Sequence, residues 1–187
     1  SGPNAGGKSV CLKTVGLLQY MIQCGLLIPV SPDSVVGLFQ DIFIDIGDQQ
    51  SIENDLSTYS SHLKNMAFFL KHSTGKSLIL MDELGSGTDP NFGGAIAQSI
   101  LHTLLEKKVC GVATTHYYNL KLFAGQESGI RNAAMRFDEK NLLPLYQLDI
   151  GKPGSSFALE IAQKTGLPKD TLEEAQQVLH NNRLEKL

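Results

Sequence analysis

The chain has 187 residues, 42% of them hydrophobic, enough to bury one sizeable core and so to form one domain with at most a small appendage. Its net charge of -3, with 16 Lys and Arg spread along the sequence, excludes a strongly cationic nucleic-acid surface, because neutralising several phosphates takes a cluster of basic side chains. The three cysteines, Cys11, Cys24 and Cys110, lie far apart without metal-site spacing; they read as small buried apolar residues in a reducing compartment. The sequence carries no signal peptide and no apolar run long enough to cross a bilayer, which predicts a cytoplasmic location and no membrane contact.

In chain order, Gly2-Pro3-Asn4-Ala5-Gly6-Gly7-Lys8-Ser9 comes first, followed by Val10. It fits G-x-x-x-x-G-K-[ST] at every constrained position. Glycines let the backbone curl so that successive N–H groups face phosphate oxygens, and a helix starting near Lys8 adds its own unpaired N–H groups and positive dipole end. Lys8 supplies charge to the β- and γ-phosphates, and the Ser9 hydroxyl suits magnesium. A P-loop normally follows a buried strand, and none precedes this one. The chain therefore reads as part of a longer protein, with a loop short of its usual anchor and weak ATP binding expected from these residues alone.

Residues 8–24 read as a helix with Leu17, Leu18, Met21 and Ile22 as its apolar stripe and Gly25 just past its end. Three short strand-like runs follow, at 26–30, 35–39 and 42–46, separated by Pro, Asp and Gly. Residues 58–72 form a second predicted helix, with Leu63, Met66, Ala67 and Leu70 on one side. At its start, Ser57 and Thr58 suit either a plain N-cap or an anion site made of hydroxyls and helix N–H groups.

The run Leu78-Ile79-Leu80-Met81-Asp82-Glu83 predicts a central parallel strand, buried on both faces, that delivers acids to its C-terminal end. Asp82 is placed to reach a magnesium ion and Glu83 to polarise an attacking water. The loop Gly85-Ser86-Gly87-Thr88-Asp89-Pro90 leads to a helix over 92–107, and a second buried strand follows at 109–114. That strand ends in Thr114-Thr115-His116, where a histidine can sense the γ-phosphate or orient the water. Segments 129–138 and 143–150 predict a β-hairpin, and 156–165 and 169–181 two short helices split by Gly166-Leu167-Pro168. His62, His72, His102 and His180 show no metal spacing and read as structural or surface residues. The alternation predicts an α/β fold: a three-layer P-loop sandwich around a mainly parallel sheet over residues 1–152, then a helical segment over 153–187.

Taken together, these segments resemble the ATPase domain of the MutS family, an ABC-type P-loop ATPase, over nearly the whole chain. Gly2–Ser9 looks like its Walker A motif, Ser57-Thr58-Tyr59 its Ser-Thr-aromatic signature, Asp82-Glu83 its Walker B motif, and Ala113-Thr114-Thr115-His116-Tyr117 its His switch. The type-two bacterial branch is the closer match, through Asp45-Ile46-Gly47-Asp48-Gln49-Gln50-Ser51-Ile52-Glu53, Leu56-Ser57-Thr58-Tyr59-Ser60-Ser61-His62, Gly85–Pro90 and Gly166-Leu167-Pro168. The resemblance implies ATP and Mg2+ as ligands and a homodimer that sandwiches the nucleotides. It makes Ser57 and Thr58 phosphate contacts in trans, and Gly85–Pro90 a dimer contact. It also implies a role for the parent protein on DNA, branched DNA included, or on ribosomes, through parts outside these residues, as would be any nuclease. Two rival readings remain from the residues: a nucleotide-gated interaction module with little turnover, and a P-loop phosphotransferase. The latter is disfavoured by only three arginines, Arg131, Arg136 and Arg183, and by Glu83 directly after Asp82.

Overall fold

The computed structural model describes residues 1–3, 6–47, 55–138, 141, 143–154 and 158–184, the side chains of 55–58 and 180–184 excepted. Three parallel strands, β1 (Asp41–Asp45), β2 (Ser77–Met81) and β3 (Cys110–Ala113), form a sheet in the order β1-β2-β3. Asp41 pairs with Ser77 and Leu78 with Cys110, so the C-terminal ends of all three strands share one edge.

Every residue of β2 is buried, as its unbroken apolar run predicts for a strand covered on both faces. Its side chains alternate between two cores. Leu78 and Leu80 pack with Leu12 of helix α1 (Lys8–Gln23) and with Phe39, Ile42 and Ile46. Ile79 and Met81 face the opposite layer, joining Met66 and Phe69 of α2 (Asp55–His72) and Ala97, Ile100 and Leu104 of α3 (Pro90–Glu106). Leu120 of α4 (Tyr118–Gln126) completes that cluster. The result is the expected three-layer α/β arrangement. Each fully buried aliphatic side chain contributes about 1.5–3 kcal/mol.

Several local expectations are corrected. The buried line of α1 is Lys8, Leu12, Gly16 and Gln19, not the predicted stripe, and Leu17 is 60% exposed. The helix turns this face inward because Gly16 has no side chain. A Cβ there would sit 2.9 Å from Leu80 Cδ1, so glycine sets how closely helix and sheet approach. In α2, Met66 and Phe69 are buried and Ala67 is exposed.

Residues 26–30 and 35–39 form no strand. Val30 N–H bonds locally to Ile28 C=O and Ser34 N–H to Ser31 C=O, and Leu27 and Val35 are almost fully exposed. This segment is held instead by Gln19, whose side-chain amide donates to Gly37 C=O, and by Gln23, whose Oε1 accepts from Phe39 N–H. Strand β3 is mostly exposed rather than buried, since no strand pairs with its outer edge among the described residues. Cys24 and Cys110 are exposed and Cys11 half-buried, so the reading of all three as buried fails. Helix α4 has no counterpart among the predicted elements. Its N-cap, Tyr117, makes no side-chain cap bond, and its apolar signal is two buried residues, Leu120 and Phe123.

The expected hairpin forms, with β4 (Ala133–Asp138) antiparallel to β5 (Leu143–Ile150) and a bulge between Met135 and Phe137. Helices α5 (Ala158–Lys164) and α6 (Lys169–Leu184) follow, with Leu172 buried. No helix among the described residues is long and apolar enough to cross a membrane.

Candidate functional site

The glycine loop runs into the N-terminus of α1. Gly7 occupies the N-cap in the left-handed region, φ 85°. A Cβ there would meet the Tyr146 ring at 2.9 Å, so both backbone and space require glycine. Pro3 and Gly6 are buried, and Gly6 N–H donates to Pro3 C=O at 2.9 Å. Ser9 is half-buried and Val10 is exposed. Asn4 and Ala5 lie outside the described residues.

The loop has an anchor that the sequence did not disclose. Met135 N–H donates to Ser1 C=O at 3.0 Å, and Ser1 Oγ accepts from Gly154 N–H at 2.7 Å, so the hairpin and the turn after it brace the base of the loop.

Lys8 is 5% exposed. Its ammonium donates to Gly2 C=O at 2.9 Å and Pro3 C=O at 3.0 Å, inside the curve of the loop. Burial lowers its pKa from the ordinary 10.5, and the carboxylates of Glu83 and Asp82 oppose that shift. The loop lysine and the acids at the end of β2 thus share one electrostatic neighbourhood, although 74 residues separate Lys8 from Asp82 in sequence.

The turn after β2 is tied to both neighbouring strands. Asp82 N–H donates to Asp45 C=O of β1 at 2.8 Å. On the β3 side, Thr114 Oγ1 donates to Asp82 Oδ1 at 2.5 Å and accepts from Glu83 N–H at 2.8 Å. Glu83 is exposed and has φ 47°, a left-handed conformation that costs a non-glycine residue about 1–3 kcal/mol and persists only where its surroundings impose it. Asp82 is half-buried, and among the described residues its second oxygen, Oδ2, makes no hydrogen bond.

Asp45 itself is buried. Its carboxylate contacts His62 Nδ1 at 2.6 Å and accepts from Asn65 Nδ2 at 2.8 Å, joining β1 to α2. A cleft beside this pair is lined by Asp45, Tyr59, His62, Asp82, Glu83 and Ser86. His62, read from sequence as structural, is indeed engaged with a buried acid.

Beyond the cleft, Tyr117 hydroxyl donates to Gly85 C=O at 2.9 Å and holds the glycine-rich loop against α3. His116 is exposed, with its ring centroid 4.5 Å from that of Tyr117.

Of the residues singled out from sequence, Gly2, Pro3, Gly6, Gly7 and Lys8 gather in the loop, and Asp82 and Glu83 lie at the sheet edge beside them. Ser57 and Thr58 do not cap α2, which begins at Asp55; they lie within its first turn, and their side chains are outside the described residues. Asp48–Glu53 is outside them as well. In the sequence Thr114 stands out only as part of a motif, and Asp45 only as part of the type-two resemblance. Tyr146 carried no sequence signal: an aromatic in a hairpin strand looks the same whether or not a glycine loop lies beneath it.

Fold and site together define a P-loop nucleotide-binding domain: a glycine loop capping a helix, and a buried central parallel strand ending in two acids beside the loop lysine. Comparison with known proteins narrows the class. The profile of MutS domain V matches residues 1–183, and the chain belongs to that family. It is similar to the protein named Endonuclease MutS2 of Thermomicrobium roseum, 50% identical over 179 residues, covering 96% of this chain and 23% of that protein. The protein of the same name from Carboxydothermus hydrogenoformans is 49% identical over 184 residues, 98% of this chain and 24% of that one. The one from Clostridium beijerinckii is 48% identical over 185 residues, 99% of this chain and 24% of that one. The chain therefore spans about a quarter of the length of these relatives.

Proposed function

We propose that this domain binds ATP on the loop Gly2–Ser9 and hydrolyses it with water, as the ATPase of a type-two MutS protein. The observation that carries the reading is the placement of Asp82 and Glu83 at the end of a buried strand, close enough to Lys8 that both carboxylates favour its charge. Lys8 neutralises the β- and γ-phosphates in place of the loop carbonyls it now bonds. Glu83, exposed and held beyond the strand end, orients the attacking water and receives its proton. His116, on the neighbouring strand end, senses the γ-phosphate. A magnesium ion would neutralise charge on the phosphate oxygens; Asp82 and the Ser9 hydroxyl would hold it, with phosphates and water completing its shell.

Two such domains pair around ATP, with Ser57 and Thr58 in the first turn of α2 reaching the partner's γ-phosphate. Hydrolysis loosens the pair and moves a nucleic-acid clamp elsewhere in the protein, on DNA or at the ribosome. A nuclease, as in the relatives' name, is assigned outside these residues.

Glu83→Gln keeps the shape of the site and removes the base. It is expected to bind ATP as the parent does, accumulate an ATP-bound dimer and lose turnover by at least ~100-fold in steady-state phosphate release. Normal turnover in that variant would sink the assignment.

A further inference from the structure

We propose that Thr114 is a positioning residue for hydrolysis, orienting Asp82 and Glu83 together through one hydroxyl group. The inference rests on the ATPase reading above and assigns a residue that reading does not use.

The geometry is unusually complete. Thr114 directly follows β3 and is 6% exposed. Each of its polar atoms bonds to the end of β2 or to the turn that follows it and carries the two acids. Its N–H donates to Met81 C=O at 2.9 Å, its C=O accepts from Leu84 N–H at 2.9 Å, and its hydroxyl bridges Asp82 and Glu83. A hydroxyl has one proton and two lone pairs. With the proton given to Asp82 Oδ1 and a lone pair taken by Glu83 N–H, both acids are fixed by a single atom.

Two consequences follow. Asp82 is held with Oδ1 occupied, which leaves Oδ2 as the oxygen open to a ligand. Glu83 is kept at φ 47°, a conformation its own preferences oppose, so its carboxylate is aimed by the bond and not by local propensity. An apolar side chain of the same shape would fill the space and lose both effects. Outer residues that orient a metal-ligating carboxylate commonly change metal affinity or activity by 10–100-fold when removed.

The test compares Thr114→Val, which keeps the shape, with Thr114→Ser, which keeps the hydroxyl, and with Thr114→Ala, which differs from the serine variant by one oxygen. Steady-state ATPase rates are measured against ATP and, separately, against magnesium concentration, with Glu83→Gln as reference. Val and Ala are expected to lower kcat about 10–100-fold and to raise the magnesium midpoint, with KM for ATP at saturating magnesium within about twofold. Ser is expected to stay near the parent in all three.

If Val melts too low to assay, the Ser and Ala pair alone decides, because their packing losses are nearly the same. Parent-like kcat and magnesium dependence in Val or Ala, alongside a dead Glu83→Gln, would overturn this inference and leave the ATPase reading standing. Equal losses in Ser and Ala would also overturn it, by showing that the hydroxyl restores nothing. Normal turnover in Glu83→Gln would remove both.

Discussion

Gly93 lies inside α3, where alanine ordinarily stabilises a helix by about 1 kcal/mol. Here the sign should reverse. A Cβ on Gly93 would lie 2.3 Å from Gly85 C=O, 3.0 Å from the Tyr117 hydroxyl and 3.1 Å from Thr88 Cγ2. Carbon–oxygen contacts settle near ~3.3–3.6 Å, so the carbonyl must retreat by roughly 1 Å. The obstacle is backbone, and that backbone is itself bonded to Tyr117. Overpacking of this kind costs typically ~1–3 kcal/mol. Taking the upper end and subtracting the propensity gain leaves a loss of about 2 kcal/mol, or roughly 4–8 °C in Tm for a domain of this size.

Gly125, in α4, supplies the control, since a Cβ there meets nothing within 4 Å. Gly125→Ala should therefore stabilise the domain by a few tenths of a kcal/mol up to ~1 kcal/mol, read as a small rise in Tm. Thermal unfolding of both variants, followed by circular dichroism, decides the matter. A rise in Tm for Gly93→Ala matching that of Gly125→Ala would refute the close Gly85–Gly93 contact and the tight seating of the glycine-rich loop on α3.

Two further outcomes follow from the geometry, beside those given for Glu83 and Thr114. Asp89 caps α3, its Oδ1 accepting from Asn91 N–H at 2.9 Å, so Asp89→Ala should cost about 1 kcal/mol, read as a lower midpoint in urea with an unchanged slope. Lys8 has a pKa lowered by burial in the free domain, and bound phosphates restore its preference for charge. Between the two values binding must take up a proton, so ATP affinity falls as pH rises through the free-state pKa. Calorimetric titrations over a series of alkaline pH values, in buffers of different ionisation enthalpy, should show that uptake, and Lys8→Ala should lack it. Identical heats in all buffers would count against it.

The parts of this domain visible in sequence are those whose signal is local. A glycine loop announces itself by the residues it needs, and β2 by an apolar run with no polar break. The inward face of α1 was hidden because the position that decides it, Gly16, carries no apolar signal at all. The strand-like runs at 26–30 and 35–39 have the composition of strands, but a strand also needs a partner, and composition does not name one. The same limit hides most of the site's support. Thr114 and Asp45 matter because β3 and β1 flank β2, a fact of sheet order that neither residue's own neighbourhood in sequence contains.

That sheet order also explains why the two acids need so little structure of their own. Met81 is the last residue of β2, and beyond it the chain leaves the ladder just where its acids must be held still. Polar atoms from both sides replace the lost ladder: Asp45 C=O takes the Asp82 N–H, and Thr114 takes the rest. Asp45 in turn holds His62 and Asn65, so α2 and the Asp82 turn share one support on the β1 side. A rotation of α2 against the sheet would pull on the Asp45 side chain, whose backbone carbonyl is bonded to Asp82. Such a link transmits nucleotide state only if the ligand binds two positions of α2 with different affinity. The contact proposed for Ser57 and Thr58, in the first turn of α2, would supply that difference.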